Sequence, residues 1–509
     1  MKRYVYGLLS LILSSFVFVS CGGDETEDVT PSGSKESLVL RSSSLTEGSE
    51  VDASSTTVIT LNYNALVTVS SSANITLNGQ KVSAHSNSVT SMAIDIPVSL
   101  ESGTSYTLSV PSGSIVAQND ASQTAPAYTL NFTTKKSGEQ SLPSNDAMAV
   151  TAMLGFGWNL GNHFDSHNNG EKVPASWGSW WDKATPTEAL YQKMAAAGVS
   201  TVRMPVTWGP WEGEAPTYTI ESEYMELVAQ NVFWARDAGL NVVLNTHHDE
   251  YWQDIYTASI SADTNSAIEE RIEATWKQIA EYFKNEGDYL IFESFNEIQD
   301  GGWGYGKNAT DGGKQYAILN GWNQLVVNTI RATGGNNSTR WIAVPGYAAA
   351  PSFTMNYLTI PTDAAGKIIV AVHCYDPYNF TLAENLVPTW GTEGDKKAIT
   401  DVLYQLKEKY IDQNIPCYLG EFGCSRHETD EENAYRAYYL EYFCRAAHFA
   451  GLSACIWDNF NPGGGSEHHA YFSHNDGSWM DNSESLVKMM INAVTSTDPS
   501  YTLESISKK

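Results

Sequence analysis

Two short segments of the sequence each place a glutamate at the end of an apolar, strand-like run. Residues 292–297 are FESFNE and residues 418–423 are YLGEFG, so the two candidate residues are Glu297 and Glu421. A carboxylate at the end of a buried strand costs free energy unless it is solvated, paired or used. Two of them on separate strands could serve a retaining glycoside hydrolysis, one as general acid and base and the other as nucleophile.

The elements that must position this pair begin near residue 148, where apolar runs alternate with amphipathic helical stretches. This alternation predicts an α/β fold, a (β/α)8 TIM barrel. A doubly wound open sheet would usually carry a glycine-rich phosphate turn, and the turn at residues 155–161 contains no lysine. The eight strands are predicted at residues 156–159, 201–206, 241–246, 290–296, 341–345, 368–375, 416–422 and 453–459.

Side chains suited to chemistry or sugar binding lie at the ends of seven of these strands. Catalytic groups of such a barrel lie at the carboxyl ends of its strands, so these side chains should meet at one mouth. One buried polar strand end is more often a satisfied structural group, but seven together are hard to explain structurally. In chain order they are Trp158 and Asn159, Arg203, His247 and His248, Asn296 and Glu297, His373 and Tyr375, Glu421, and Trp457.

The two glutamates need different surroundings to share the chemistry. They sit on the fourth and seventh strands, which face each other across a barrel, so the carboxyls could lie about 5 Å apart. Glu421 must stay ionised, and Arg203 is its natural cationic partner. Glu297 needs a raised pKa, which apolar neighbours can supply. We expect Asn296 to hydrogen-bond a sugar hydroxyl and Tyr375 to orient the nucleophile through its hydroxyl. Trp457 offers a flat face to a pyranose ring.

The motifs at these strand ends together resemble glycoside hydrolase family 5. They are GWNLGN at 157–162, VRMPVTW at 202–208, NTHH at 245–248, FNE at 295–297, HCY at 373–375, GEFG at 420–423 and WDN at 457–459. Residues 331–337 (RATGGNN) and 344–347 (VPGY) look like subfamily 4, a group of endo-β-1,4-glucanases and xyloglucanases.

The resemblance implies that Glu297 is the acid/base and Glu421 the nucleophile. It assigns the reacting sugar's site to Arg203, His247, Asn296, His373, Tyr375 and Trp457, and we add the neighbouring His248. Two positions depart from the family pattern. Ile298 replaces a proline, which should loosen the loop, and His163 replaces a threonine and is expected to touch a more distant sugar.

Tryptophans in the predicted mouth loops indicate a long cleft that stacks several sugars, and hence action inside a polymer. They are Trp177, Trp180, Trp181, Trp208, Trp211, Trp252 and Trp303. We expect a retaining endo-β-1,4-glucanase that needs no cofactor, with xyloglucan as the favoured substrate and mixed-linkage or cellulose-type glucan as the alternative. The net charge of −28, with no basic patch, argues against nucleic acid and anionic lipid as partners.

Two other classes of function are compatible with parts of this pattern. A metal-dependent hydrolase on the same barrel would use His247, His248, His373 and Asp376 as zinc ligands, but it leaves both glutamates idle. An inactive surface glycan-binding protein would not need the intact glutamates. We also expect a monomer that binds a β-glucan.

The N-terminus has the pattern of a bacterial lipoprotein signal. Lys2 and Arg3 precede an apolar stretch at 6–19, and Cys21 follows a small residue, which predicts lipidation at Cys21 and an outer-membrane lipoprotein facing the cell surface. The remaining cysteines, whose neighbours are apolar, are expected to be buried free thiols, with one disulfide as the alternative.

Domain boundaries follow from changes in composition. A signal peptide at 1–21 and a flexible tether at 22–36 precede a Ser- and Thr-rich region at 37–134 without tryptophan. Its short alternating strands predict a small all-β immunoglobulin-like sandwich that acts as a spacer, with carbohydrate binding as the weaker alternative. A linker at 135–147, the catalytic barrel at 148–497 and a C-terminal tail at 498–509 complete the chain.

Overall fold

The computed structural model describes residues 37–51, 58–86, 91–101, 103–134, 146–168, 171–172, 181–249 and 254–509. The chain forms two compact units, Met1–Thr134 and Lys135–Lys509. The predicted signal peptide, Cys21 and the tether lie outside the described residues, as does most of the predicted linker. These features therefore stay predictions.

The first unit is built from short strands, and the prediction of a small all-β module is confirmed. Its three sheets have the strand orders β1-β3-β8-β7, β11-β10-β4 and β2-β12-β9-β5-β6, and the pairing is antiparallel except between β2 and β12. Alternate residues of the longer strands, such as Leu130 and Phe132, are buried in its core. The strands are β1 (Leu40–Ser43), β2 (Glu50–Val51), β3 (Val58–Tyr63), β4 (Val67–Val69), β5 (Thr76–Leu77), β6 (Gln80–Lys81), β7 (His85–Ser86), β8 (Ala93–Pro97), β9 (Ser105–Val110), β10 (Ile115–Ala117), β11 (Asp120–Thr124) and β12 (Tyr128–Thr134).

The second unit contains a closed barrel of eight parallel strands, which confirms the predicted fold class. Each strand pairs with the next along the chain, and the last pairs with the first. Nearly every strand residue is buried, as expected where helices cover the outside and side chains fill the inside. The strands are β13 (Phe156–Asn159), β14 (Thr201–Met204), β15 (Asn241–Asn245), β16 (Leu290–Glu293), β17 (Ile342–Pro345), β18 (Ile368–Cys374), β19 (Cys417–Phe422) and β20 (Ser453–Ile456).

Helices connect these strands and pack around them. The longer ones have clear boundary signals: α10 starts with a capping box between Thr429 and Glu432 and ends at Gly451, whose φ of 72° is left-handed. The helices are α1 (Asp146–Leu154), α2 (Glu188–Ala197), α3 (Ser222–Asp237), α4 (Ile255–Ile260), α5 (Ala262–Phe283), α6 (Lys314–Ala332), α7 (Pro351–Tyr357), α8 (Tyr378–Thr381), α9 (Glu393–Lys409), α10 (Asp430–Ala450) and α11 (Glu484–Thr495).

Several predicted boundaries differ from those of the structure. The fourth barrel strand ends at Glu293 and not at Asn296, because the chain leaves the sheet after Ser294 while Phe295 still packs into the core. Helix α1 begins at Asp146, inside the predicted linker. The predicted tail packs against α10, where Tyr501 donates a hydrogen bond of 2.9 Å to Glu441.

The five described cysteines are buried free thiols, which confirms that prediction; they are Cys374, Cys417, Cys424, Cys444 and Cys455. Within the described residues, no helix combines the length and the hydropathy that a membrane crossing requires.

Candidate active site

Arg203, on strand β14, lies at the centre of the barrel mouth and is fully buried. Its guanidinium uses all five of its N–H donors. Nη1 donates to Glu421 Oε1 at 2.7 Å and to Asn159 Oδ1 at 3.0 Å. Nε and Nη2 donate to Glu293 Oε1 at 3.0 and 2.7 Å, and Nη2 also reaches Asn296 Oδ1 at 3.0 Å. The arginine therefore links side chains from three other strand ends, those of β13, β16 and β19.

Glu421 is held at both carboxylate oxygens. Arg203 binds Oε1, and the Tyr375 hydroxyl donates to Oε2 at 2.9 Å. His247 Nε2 lies 3.9 Å from Oε1. The side chain of Glu421 is 7% exposed, so one edge remains accessible. This is an oriented carboxylate next to a fixed positive charge, which suits a nucleophile.

Glu297 lies in the segment that follows β16 and is more open, with its side chain 20% exposed. His373 Nδ1 lies 2.7 Å from its Oε1. Burial raises the pKa of Glu297 to about 7; the Arg203 charge opposes this rise and the Glu293 charge adds to it. A carboxyl with this pKa is present in both protonation states near neutrality, as a group that donates and then accepts a proton requires.

His373, on β18, lies between the two carboxyls. Its Nδ1 is 2.7 Å from Glu297 and 3.7 Å from Glu421. One ligand atom from each of these three residues lies within 4.8 Å of the other two. Burial lowers the pKa of His373 to about 4, although the Glu421 charge opposes this, so the imidazole is neutral at pH 7. The carboxyl groups thus face each other at close range across a neutral ring.

The mouth opens beside Glu297 into a pocket lined by His247, His248, Asn296, Glu297, Ile298, Gln299 and Trp303. Trp457, from the end of β20, stands with its ring parallel to that of His247, 6.1 Å away. A Cβ at Gly161 would lie 2.7 Å from the Trp457 ring, so only glycine permits this approach. Burial lowers the pKa of both His247 and His248, which leaves neutral rings facing the pocket.

The strand-end residues predicted from the sequence therefore converge on one mouth of the barrel. Comparison with known proteins then identifies the scaffold. Residues 162–463 match the family model described as cellulase, glycosyl hydrolase family 5.

The chain belongs to glycoside hydrolase family 5.

Relatives of this family 5 hydrolase include enzymes from Bacteroides species. A xyloglucan-specific endo-β-1,4-glucanase of Bacteroides ovatus is 32% identical over 357 residues, which are 65% of this chain and 68% of the relative. A solved GH5-4 broad specificity endoglucanase from Bacteroides salanitronis is 41% identical, with a TM-score of 0.66, and covers 70% of this chain and 97% of its own. A Bacteroidetes-affiliated GH5 cellulase linked with a polysaccharide utilization locus is 38% identical, with a TM-score of 0.68. The match covers 71% of this chain and 97% of that cellulase. The resemblance to subfamily 4 is confirmed.

Several expectations for single residues of the family 5 hydrolase need correction. Ile298 does not loosen its loop, because it is buried and its carbonyl accepts the Ala348 amide at 2.9 Å. Trp208 is no sugar platform, since it is fully buried and donates to the Asn245 carbonyl. His163 is 3% exposed and its Nδ1 lies 2.9 Å from Asp182. Burial leaves it little face for a sugar.

The other mouth tryptophans differ in exposure. Trp181 and Trp303 are 41% and 57% exposed. Trp211 stacks at 4.3 Å on Tyr224. Trp177, Trp180 and Trp252 lie outside the described residues. Exposed rings near the pocket thus remain for stacking on sugars.

The alternative zinc set is not brought together in the part of the chain that the structure describes. His247 and His248 group with Asp165, whereas His373 groups with Glu297 and Glu421. Asp376 belongs to neither group.

A third buried carboxylate of the mouth, with its partners, was not among the site residues predicted from the sequence. Glu293 is fully buried beneath the mouth and shares Arg203 with Glu421. The available signal was its own position, because it is a second acidic residue within the buried run FESFNE. Tyr418 and Asn245, which bind Glu293, were missed with it.

Proposed function

We propose that this family 5 protein is a retaining endo-β-1,4-glucanase. The single observation that supports the proposal is the close pairing of Glu297 and Glu421 in unlike surroundings, with ligand atoms within 4.8 Å of each other. Retaining hydrolases need a short separation, whereas inverting enzymes keep a wider gap for a water molecule. Glu297 has the raised pKa of an acid, and Glu421 is bound to a cation.

In the first step, Glu297 gives its proton to the glycosidic oxygen while a Glu421 oxygen attacks the anomeric carbon. The bond to the leaving sugar breaks, and a glycosyl ester forms on Glu421. In the second step, the Glu297 carboxylate takes a proton from water, whose oxygen attacks the same carbon. The ester bond breaks, Glu421 is released as carboxylate, and Glu297 is again protonated.

The surrounding residues support these steps. Arg203 and Tyr375 hold the two oxygens of Glu421, so the attacking atom is oriented before the substrate arrives. Asn296 accepts from Arg203 through Oδ1, which leaves its Nδ2 for a hydroxyl of the reacting sugar. His247, His248 and Trp457 form the polar and aromatic wall on which that sugar rests.

Xyloglucan is the favoured polymer, and mixed-linkage or cellulose-type glucan is the alternative. The xyloglucan-specific relative from Bacteroides ovatus supports the first, and the broad specificity relative from Bacteroides salanitronis supports the second. The exposed rings of Trp181 and Trp303 offer apolar faces on which a chain of glucose units can stack.

A polysaccharide panel with product sizing tests the proposal. Purified protein is incubated with xyloglucan, mixed-linkage β-glucan, carboxymethylcellulose, mannan and xylan, with E421Q as the inactive control. We expect a rapid fall in polymer size on β-1,4-linked glucans, steepest on xyloglucan, and a first product in the β-configuration by proton NMR. No cleavage of any glucan, or an α-product first, would refute the proposed reaction.

We further propose that the protein is a monomeric outer-membrane lipoprotein, anchored through Cys21 and facing the cell surface, with the all-β module as a spacer. The support is the signal pattern in the sequence. Cells carrying C21A should lose surface activity while the soluble protein stays active. A protein beginning at Asn145 should keep kcat/KM on soluble glucan within about twofold, because no contact to the transition state is removed. A large loss in a folded protein would mean that the module belongs to the cleft.

A further inference from the structure

A third carboxylate lies beneath the reacting pair. Glu293 is the last residue of β16 and is fully buried. Its Oε1 accepts from Arg203 Nε and Nη2 and from Asn245 Nδ2 at 2.9 Å, and its Oε2 accepts from the Tyr418 hydroxyl. All its partners are protein groups on the strands around it. Glu293 is therefore sealed from substrate and cannot exchange a proton with it.

The arrangement changes how Arg203 acts on Glu421. One guanidinium charge faces two carboxylates, so this buried cluster has a net negative charge. Glu293 takes two of the five N–H donors and leaves Glu421 one. A buried carboxylate with the whole of an arginine's charge would be strongly stabilised and therefore a poorer nucleophile.

Glu293 also acts on the acid/base. Burial works to raise the pKa of Glu293, but the Arg203 charge and hydrogen bonds outweigh it and keep that pKa below its usual value. Glu293 is then a permanent negative charge four residues before Glu297, and its charge adds to burial in raising the pKa of Glu297. The titratable and charged groups that face Glu297 are Arg203, Glu293, His373, Tyr375, Glu421 and Glu467.

We propose that Glu293 is a positioning residue that fixes Arg203 and, through its charge, sets both the strength of the nucleophile and the protonation of the acid/base. The inference rests on the proposed roles of Glu421 and Glu297. It makes the charge of Glu293, and not only its shape, necessary for the reaction. A purely structural buried glutamate would need only its hydrogen bonds.

Charge and shape are separated by two substitutions at this position. E293Q keeps the length of the side chain and an oxygen for Arg203 but removes the charge. E293D keeps the charge but shortens the reach. Y418F is the matched control, because it removes one hydrogen bond from Glu293 and no charge.

The experiment measures kcat/KM against pH for the four full-length proteins on an unactivated cellooligosaccharide. We expect the basic limb of wild type near pH 7, because protonated Glu297 is required. In E293Q the limb should move down by about one pH unit, and the maximum should fall by about 10- to 100-fold. E293D and Y418F should lose rate with the limb unmoved.

Equal losses in E293Q and Y418F with an unmoved limb would overturn the inference and leave Glu293 a structural residue. Should E293Q fail to fold, carbon NMR titration of labelled glutamates in wild type decides the point. Glu293 must stay ionised from about pH 5 to about pH 8, and titration within that range would overturn the inference. Failure of the proposed function has a different signature, namely full activity in E297A whatever E293Q does.

Discussion

Two buried clusters in this barrel have the same arrangement, in which a cation lies between two carboxylates. In the first, Arg203 lies between Glu293 and Glu421. In the second, His474 Nδ1 lies 2.8 Å from Asp182, and its Nε2 lies 3.4 Å from Asp458. Burial would lower the pKa of His474, but these two carboxylates outweigh it and raise the pKa to about 9, so this histidine is a cation at neutral pH.

The clusters differ in what their carboxylates face: the Arg203 cluster is open to the mouth, and the His474 cluster is closed. Glu421 keeps an accessible edge, whereas the side chains of Asp182, Asp458 and His474 are fully buried. Asp458 accepts from Trp158 Nε1 at 2.8 Å and from backbone amides of the last mouth loop. A buried cation between carboxylates is therefore no sign of catalysis by itself. An open face and the neighbouring Glu297 distinguish the cluster for which we propose the chemistry from the one that is closed.

The largest effect is expected from E421Q, which removes the nucleophile from the open cluster. The rate kcat should fall by about 10⁴-fold or more, because the covalent step is lost. Melting temperature should change little compared with this loss. E428Q, at an exposed glutamate nearby, is the matched control and should be fully active. Activity above a hundredth of wild type would exclude Glu421 as nucleophile (about 3 kcal/mol of barrier).

A smaller but still severe loss is expected from E297A, by about 10²- to 10⁴-fold on polymer, since general acid catalysis is removed. On an aryl cellobioside with a good leaving group, azide should restore part of the turnover, because the small anion enters the space left by the carboxyl. Steady-state rates with and without azide measure this. Near-wild-type rates on polymer without azide would show that the assignment of Glu297 is wrong.

H474Q tests the closed cluster and should affect stability rather than chemistry. Two buried carboxylates lose their cation, which costs about 3 kcal/mol. The raised pKa of His474 means that its contribution is fully present below its unfolded pKa near 6.5 and is lost as pH rises through about 9. The melting temperature of H474Q should therefore lie far below wild type at pH 6 and approach it above pH 9.

The matched control for that variant is H468Q, a partly exposed histidine of the same loop. Its melting temperature should equal that of wild type at each pH measured. A drop in kcat/KM of H474Q at low temperature as large as that of E297A would remove the distinction between the two clusters.

The smallest effect is expected from Y375F, which removes one hydrogen bond of 2.9 Å to Glu421 and leaves Arg203 in place. A hydrogen bond to a charged group contributes about 1.5–3 kcal/mol, so kcat/KM should fall by about 10- to 100-fold. Y378F, at an exposed tyrosine close by, should be unchanged. No change in Y375F would mean that Arg203 alone orients the nucleophile.

The barrel could be predicted from the sequence because apolar, strand-like runs alternate regularly with amphipathic helical stretches. The residues at the mouth could be predicted as well, since strand ends show where side chains converge. The end of β16 was placed too late because Phe295 continues the apolar run after the sheet hydrogen bonds stop. In the all-β module, two-residue strands such as β5 and β6 are too short to show alternation.

The charged clusters were only half visible from the sequence. The sequence paired Arg203 with Glu421 because both were expected near strand ends, whereas Glu293 lies inside the predicted fourth strand at 290–296 and attracted no role. The cluster around His474 joins Asp182 across 292 residues of chain. No local pattern marks such a contact, because it depends on how two mouth loops fold over β13 and β20.

The central claim is that the open cluster performs the chemistry, with Glu421 forming a covalent bond to the sugar. The most direct test is to react the protein with an activated 2-deoxy-2-fluoro-β-cellobioside, whose slow second step traps the ester, and to map the peptides by mass spectrometry. We predict one adduct of the mass of the fluorosugar, on Glu421, absent from E421Q and formed in proportion to the loss of activity. An adduct on another residue, or inactivation without any adduct, would contradict the account.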